Sequence, residues 1–240
     1  DLLLGIANMD IDLVVEGNAM TFAKTFAKQQ KGRVKTHGRF GTATVICSDT
    51  QKLDFATART EHYEFPAALP TVKPSSIKKD LYRRDFTINT LAICLNHHQF
   101  GELLDFYGGQ RDLHDQTIRV LHSLSFIEDP TRVFRAIRFA QRLNFRLAKE
   151  TTSLIKNAVS KRAFRRLSKS RLLDEIILLL SVQAPRKILQ QLAKFDLLKF
   201  IHQKLQWSST LAHTLKASEK AIKWYTLLHL DQPMNSWIVY

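Results

Sequence analysis

Cysteine is scarce: Cys47 and Cys94 are the only two in 240 residues, and neither sits in a CxxC or Cys/His spacing. That excludes a disulfide framework and a structural zinc site of the usual spacing, and suits a reducing, cytoplasmic setting. Glycine and proline are few as well, eight and six, and no repeats or low-complexity tracts appear. No apolar run exceeds five residues, against the roughly 20 that a membrane-spanning helix needs, so no membrane role is expected. Acid is the last shortage: 22 Asp and Glu face 36 Lys and Arg, a net charge of +14. A surplus of that size favours a polyanionic partner, nucleic acid first, through phosphate neutralisation and counterion release.

Nearly half of the residues are hydrophobic, enough for one large or two smaller globular domains. Up to about Leu121 short β-branched runs mix with helical ones. Ile11–Val15, Thr42–Cys47 and Leu53–Ala58 are expected to be strands, and Ala19–Lys28 and Thr87–Leu95 helices. His62–Ser76 carries Pro66, Pro70 and Pro74 and reads as a loop. Past Leu121 apolar residues recur three and four apart, as in Val133–Leu143 and Leu172–Leu180, so an all-helical second half is expected. Thirteen Lys and Arg against one acid, Glu150, fall between Thr131 and Arg171, and phosphates are expected there.

In Asn8-Met9-Asp10-Ile11-Asp12-Leu13 the aspartates alternate with apolar residues. On a strand both carboxylates would leave one face, about 6–7 Å apart at Cα, with Ile11 and Leu13 entering the core. Two such acids can hold magnesium for phosphoryl or nucleotidyl transfer; they could equally be the solvent side of an edge strand. Asp54, amid the apolar residues of Leu53-Asp54-Phe55-Ala56, is a third acid, with an exposed turn-proximal position as its plain alternative. In Glu128-Asp129-Pro130-Thr131-Arg132, Asp129 is a good N-cap and Pro130 suits the first helical position. Arg132, Arg135, Arg138 and Arg142 then form one stripe and Val133, Ile137 and Ala140 another. The basic stripe is a solvated face, or else Asp129 and Arg132 meet a base edge while Arg135 and Arg138 meet a triphosphate. In Asp80-Leu81-Tyr82-Arg83-Arg84-Asp85, Asp85 could simply cap a helix; alternatively Arg84 meets a phosphate or ribose while Asp85 and Asn89 hold the turn.

These motifs, in this order, resemble the class II tRNA nucleotidyltransferases and bacterial poly(A) polymerases of the polymerase-β-like superfamily. The resemblance rests on DLLLG at Asp1, DIDLVVEG at Asp10, GRFGTATV at Gly38, LDFATARTE at Leu53, DLYRRDFTINTLA at Asp80, LLDFYGGQRDL at Leu103 and RVLHSLSFIEDPTRVFRAIRFAQRLNF at Arg119. It implies an α+β fold: a small-sheet palm over residues 1–121, a helical neck over 122–182 and the start of a helical, RNA-binding body over 183–240. It implies transfer of AMP or CMP to a tRNA 3′ end with release of pyrophosphate, ATP and CTP as substrates, and Mg2+ on Asp10 and Asp12 with Asp54 as the third acid. Arg84, Glu128, Asp129, Arg132, Arg135 and Arg138 fall on its nucleotide contacts, the acid and arginine of EDxxR pairing with the base, and Asp85 and Asn89 lie in the same RRD segment. The alternatives are a poly(A) polymerase and a non-catalytic RNA-binding module. The family's opening Gly-Gly-x-x-Arg would stand just before Asp1, so the chain is expected to be missing its beginning and, as given, to bind nucleotide poorly; a tail domain that grips the tRNA is expected beyond Tyr240.

Overall fold

The computed structural model describes residues 2–6, 10–65, 67–68, 70–161, 163–182, 185–228 and 234–240. Asp1, at the head of the DLLLG motif, and Pro66 lie outside the described residues. The chain divides into two compact units, Asp1–His62 with Pro70–Arg84, and Tyr63–Leu69 with Asp85–Tyr240.

The first unit holds β1 (Ile11–Val15), α1 (Ala19–Gln29), β2 (Arg33–His37), β3 (Thr42–Ile46), β4 (Lys52–Thr57), β5 (Arg59–His62), β6 (Thr71–Pro74) and α2 (Ile77–Tyr82). Four strands make a mixed sheet in the order β1-β4-β3-β2, parallel at β1/β4 and antiparallel elsewhere. Residues two apart share a face, so Leu13, Val15, Ala43, Val45, Leu53 and Phe55 face α1 and form this unit's core. The helix can lie close because its buried positions are all alanine, Ala19, Ala23 and Ala27. Asn18 accepts the Thr21 amide and starts it. Gly32 lets β2 follow at once, since a Cβ there would stand 2.5 Å from the Ile46 carbonyl oxygen.

The expected strands at β1, β3 and β4 form within a residue or two. Two expectations fail here. Ile11 does not enter the core but is 39% exposed at the start of β1, and Asp10 precedes that strand. The Pro-rich segment is not all loop, because Thr71–Pro74 pairs with Arg59–His62 as a hairpin. Proline at the very end of β6 costs the hairpin no interior ladder bond.

The second unit holds β7 (Ala92–Ile93), β8 (Leu103–Leu104), α3 (Gly109–His114), β9 (Thr117–Ile118), α4 (Ser125–Glu128), α5 (Thr131–Leu143), β10 (Arg146–Leu147), α6 (Lys149–Ser160), α7 (Lys169–Leu180), α8 (Pro185–Lys194), α9 (Leu198–Ile201) and α10 (Ser209–Leu228). Its core centres on α5, where Val133, Phe134, Ala136 and Ile137 are fully buried among Phe86, Ile118, Phe126, Ile155, Ile188 and Leu192. Each large side chain contributes about 1.5–3 kcal/mol by burial. The helix expected over Thr87–Leu95 does not form: Thr87–Asn89 is one 3-10 turn, and Ala92–Ile93 pairs with β8. The Thr90 hydroxyl donates to the Thr87 carbonyl at 2.7 Å, a local bond that competes with helix propagation. The second half is not purely helical either, since β10 pairs with β9 in parallel over two residues, too few for a period-two pattern to be read.

Candidate active site

The sheet of the first unit has one face covered by α1 and one open. Register puts Asp12 beside Asp54, Asp54 beside Thr44 and Thr44 beside Lys35, a rung of side chains crossing the open face from β1 to β2. Asp10 and Asp12 are both exposed. The Thr44 hydroxyl donates to Asp54 Oδ1 at 2.5 Å, and Lys52 Nζ lies 2.7 Å from Asp54 Oδ2. Burial works to raise the Asp54 carboxyl, but the hydrogen bonds from Lys52 and Thr44 outweigh it and hold the group below its ordinary range. The Lys52 ammonium is pushed up, first by its hydrogen bond and charge contact with Asp54, then by the nearby charges of Asp10 and Asp12. All three acids named from the sequence therefore share one neighbourhood, with a cation among them.

Among the described residues no group of three or more Asp, Glu, His or Cys side chains is arranged to enclose a metal ion. Magnesium does not require such a cage, because it keeps several waters and takes one or two carboxylates plus substrate phosphates. Asp10 and Asp12 supply hard oxygen donors of that kind, and both are exposed. The donor set fits.

Arg84 is held by a residue that sequence reasoning missed. Asp80, fully buried in α2, accepts the Arg59 amide and Arg83 Nε at 3.1 and 3.0 Å, and its other oxygen lies 3.5 Å from Arg84 Nη2. Glu61 takes Arg83 Nη1 at 2.8 Å. The available signal was an acid three and four residues before two arginines at the C-terminal end of a helix.

In the second unit Asp85 accepts its neighbour Phe86's amide at 2.9 Å, Asn89 Nδ2 at 2.8 Å and Arg135 Nε and Nη2 at 2.8 and 2.5 Å. Burial works to raise this carboxyl, and the Arg135 charge with the Asn89 bond keeps it ionised at lower pH than usual. Asp85 and Asn89 thus hold the turn after Arg84 in place. Asp129 accepts the Thr131 amide at 3.1 Å, so its side chain caps α5 although Pro130 is the boundary residue. The same carboxylate receives Arg171 Nη2 at 2.8 and 2.9 Å, while Arg171 Nη1 donates to the Ala67 carbonyl at 3.1 Å. Ala67 in turn donates its amide to the Glu128 carbonyl. Glu128's own carboxylate lies 3.6 Å from His122 Nε2, and burial lowers that imidazole's pKa.

Apart from Arg142, which is exposed, the arginine stripe is not a solvated face. Arg132 is 6% exposed and donates to Ser125 Oγ at 3.0 Å. Arg138 lies 3.7 Å from Glu175; burial depresses the arginine's pKa and raises the glutamate's, each partly offset by the other's charge. Arg138 Nε and Glu175 Oε2 are buried without a hydrogen-bond partner among the described residues, which costs stability. Arg135, Arg138 and Arg142 also surround the Phe139 ring at 5.6–5.7 Å. Arg171 and Glu175, both on α7, were not singled out from sequence because their partners lie 42 and 37 residues away.

Residues 1–119 match the family model described as the poly A polymerase head domain, and residues 144–207 match one described as a probable RNA and SrmB-binding site of polymerase A. An A-adding tRNA nucleotidyltransferase of Geobacter sulfurreducens is 50% identical over 240 residues, all of this chain and 27% of that protein. An A-adding tRNA nucleotidyltransferase of Aquifex aeolicus is 45% identical over 227 residues, 95% of this chain and again 27% of that protein. A crystal structure of a tRNA nucleotidyltransferase complexed with a primer tRNA and an incoming ATP analog superposes with a TM-score of 0.86 at 41% identity, covering 98% of this chain and 66% of that one. The chain therefore spans about a quarter of the length of the two relatives.

Proposed function

Because this chain belongs to the tRNA nucleotidyltransferase and poly(A) polymerase family, we propose that it carries the chemistry of an enzyme adding AMP to the 3′ end of a tRNA, with release of pyrophosphate. The observation that carries this reading is the carboxylate neighbourhood of the open sheet face, where Asp12 and Asp54 are register neighbours and Asp10 acts on the same lysine. AMP is favoured over CMP because both relatives named above are A-adding enzymes.

Asp10 and Asp12 would hold Mg2+, which lowers the pKa of an attacking hydroxyl and neutralises a leaving phosphate. The 3′-hydroxyl attacks the α-phosphate of ATP, the new P–O bond forms as the bond to pyrophosphate breaks, and no covalent enzyme intermediate is required. Asp54, fixed by Thr44, shapes the charge at that point. Arg84, oriented by Asp80, would meet a phosphate or ribose. Asp129 and Arg132 would read the base edge, with Glu128 beside them in the same motif, while Arg135 and Arg138 supply charge toward the phosphates and Asp85 and Asn89 keep Arg135 and the turn in position. Base recognition by Asp129 requires it to loosen or share its Arg171 pairing, since one carboxylate has a limited number of acceptor sites.

The test is incorporation into three RNAs by the full-length protein: tRNA ending before the first C, tRNA ending in CC, and an unrelated RNA. A-addition to the CC-ended tRNA alone is expected. Extension of all three would point to a poly(A) polymerase, and no extension of any would leave an RNA-binding module. Asp12→Ala should abolish incorporation with an unchanged circular dichroism spectrum and melting temperature. A variant that still extends the RNA would end the assignment of the metal to these acids.

A further inference from the structure

The open face of the first unit's sheet carries more than acids. On β2, Arg33, Lys35 and His37 alternate, so all three project from the face that bears Asp12 and Asp54. Register fixes their neighbours: Lys35 stands beside Thr44, which stands beside Asp54, and Arg33 stands beside Ile46, which stands beside Lys52. His37 is near enough for its charge to act on Asp54. A cleft of about 320 Å3 lies along this row, lined by Arg33, Lys35, His37, Thr44, Ile46 and Lys52 among others. Every residue of β2 is exposed, and among the described residues neither Arg33 nor Lys35 makes a salt bridge.

We infer that this row is a binding track for the phosphodiester backbone of the RNA strand whose 3′ end is extended, an inference that rests on the function proposed above. Neighbouring strands are separated by about 4.8 Å, so Lys35 lies only about 10 Å from Asp54 across β3, and Arg33 to His37 extends about 13 Å along β2. Successive phosphates suit a linear row of cations of that length better than one compact anion does. A positively charged groove that tracks the backbone is one part of how single strands are held without sequence preference, and Ile46, 47% exposed, adds apolar surface beside it. The acids would repel the same backbone, so a strand can bring its end to them only if cations close by offset that repulsion.

The experiment compares full-length wild type with Arg33→Ser/Lys35→Ser by fluorescence anisotropy in EDTA, where no transfer occurs. The probes are a tRNA acceptor minihelix with its single-stranded 3′ end and the same duplex cut blunt. Affinity for the tailed RNA should fall about tenfold, and the slope of log K against log salt should flatten by about 1.4, which is two single-strand phosphates at about 0.7 each; the blunt duplex should bind both proteins alike. Arg33→Lys/Lys35→Arg should retain wild-type binding, separating charge from misfolding. Equal affinity and slope in both proteins would overturn the track, as would an equal loss on the blunt duplex, or a weakened ATP affinity with tailed RNA unaffected. If wild type extends no RNA, the function falls by itself, whereas the binding comparison fails only through the track.

Discussion

Asp129 is the residue in which the site's demands conflict most visibly. Its carboxylate caps α5 through Thr131 and pairs with Arg171, which also grips the Ala67 carbonyl. One guanidinium therefore ties a loop backbone to the acid proposed to read the base. Asp129→Ala removes both the cap and the pair, and should blur selection among ATP, CTP and UTP, measured as the ratio of kcat/KM values, more than it weakens RNA binding. Unchanged ratios would count against base reading by this acid. Arg171→Met keeps the cap and leaves Asp129 without its guanidinium partner; because one member of a partly buried pair is removed, a destabilisation of about 2–3 kcal/mol in urea melts is expected.

At the scale of elements, the anchoring of α5 dominates. Asp85, 6% exposed, joins the turn following Arg84 to Arg135 in the middle of that helix. Its folded carboxyl titrates below the unfolded value. The stability it supplies is therefore fully present above the ordinary aspartate pKa and is lost as pH falls through the folded one. Asp85→Ala should cost about 3–5 kcal/mol at neutral pH by leaving Arg135 unpaired, and should flatten the acid limb of the stability profile; an unaltered limb would show that another group sets it. Glu175 has the opposite sign: its raised pKa means stability is lost as pH rises above the ordinary glutamate value, with burial the cause. The segment Leu103–Leu113, counted among the family motifs, proves architectural here. Asp105 accepts the amides of Gly109 and Gln110 at the start of α3, and the buried Asp112 takes Thr87 Oγ1 at 2.6 Å and Arg119 at 3.1 Å. Gly109 lets α3 approach, since an added Cβ would stand 2.5 Å from the Thr87 carbonyl oxygen. Gly109→Ala should destabilise the second unit by about 1–3 kcal/mol through overpacking, read as a fall in its melting midpoint.

For the molecule as a whole, a net charge of +14 makes ionic strength the strongest external variable. RNA affinity should drop steeply with salt, as counterion release requires, while the melting temperature changes little, since buried pairs such as Asp85–Arg135 are screened far less than exposed ones. Among the described residues no helix is long and apolar enough to cross a membrane. The last boundary between the units falls at Arg84/Asp85, earlier than the change of periodicity after Leu121. Contact between residues distant in sequence sets the former, whereas only local pattern sets the latter.

Local chemistry was legible from the residues. Short β-branched runs named β1, β3 and β4, the three-and-four spacing named α5, and the ordered motifs that carry Asp10, Asp12, Asp54, Arg84, Asp129 and Arg132 named the family. These depend on neighbours within a few positions, which a linear reading contains. What only the tertiary structure decided depends on pairing at a distance: that Lys52 stands beside Asp10 and Asp12, that Asp80 takes the Arg59 amide, that Arg135 and Arg171 answer Asp85 and Asp129, and that β2 lays a basic row beside the carboxylates. Strand register and buried ion pairs join side chains 10 to 50 positions apart, and no local periodicity encodes which partner each will meet.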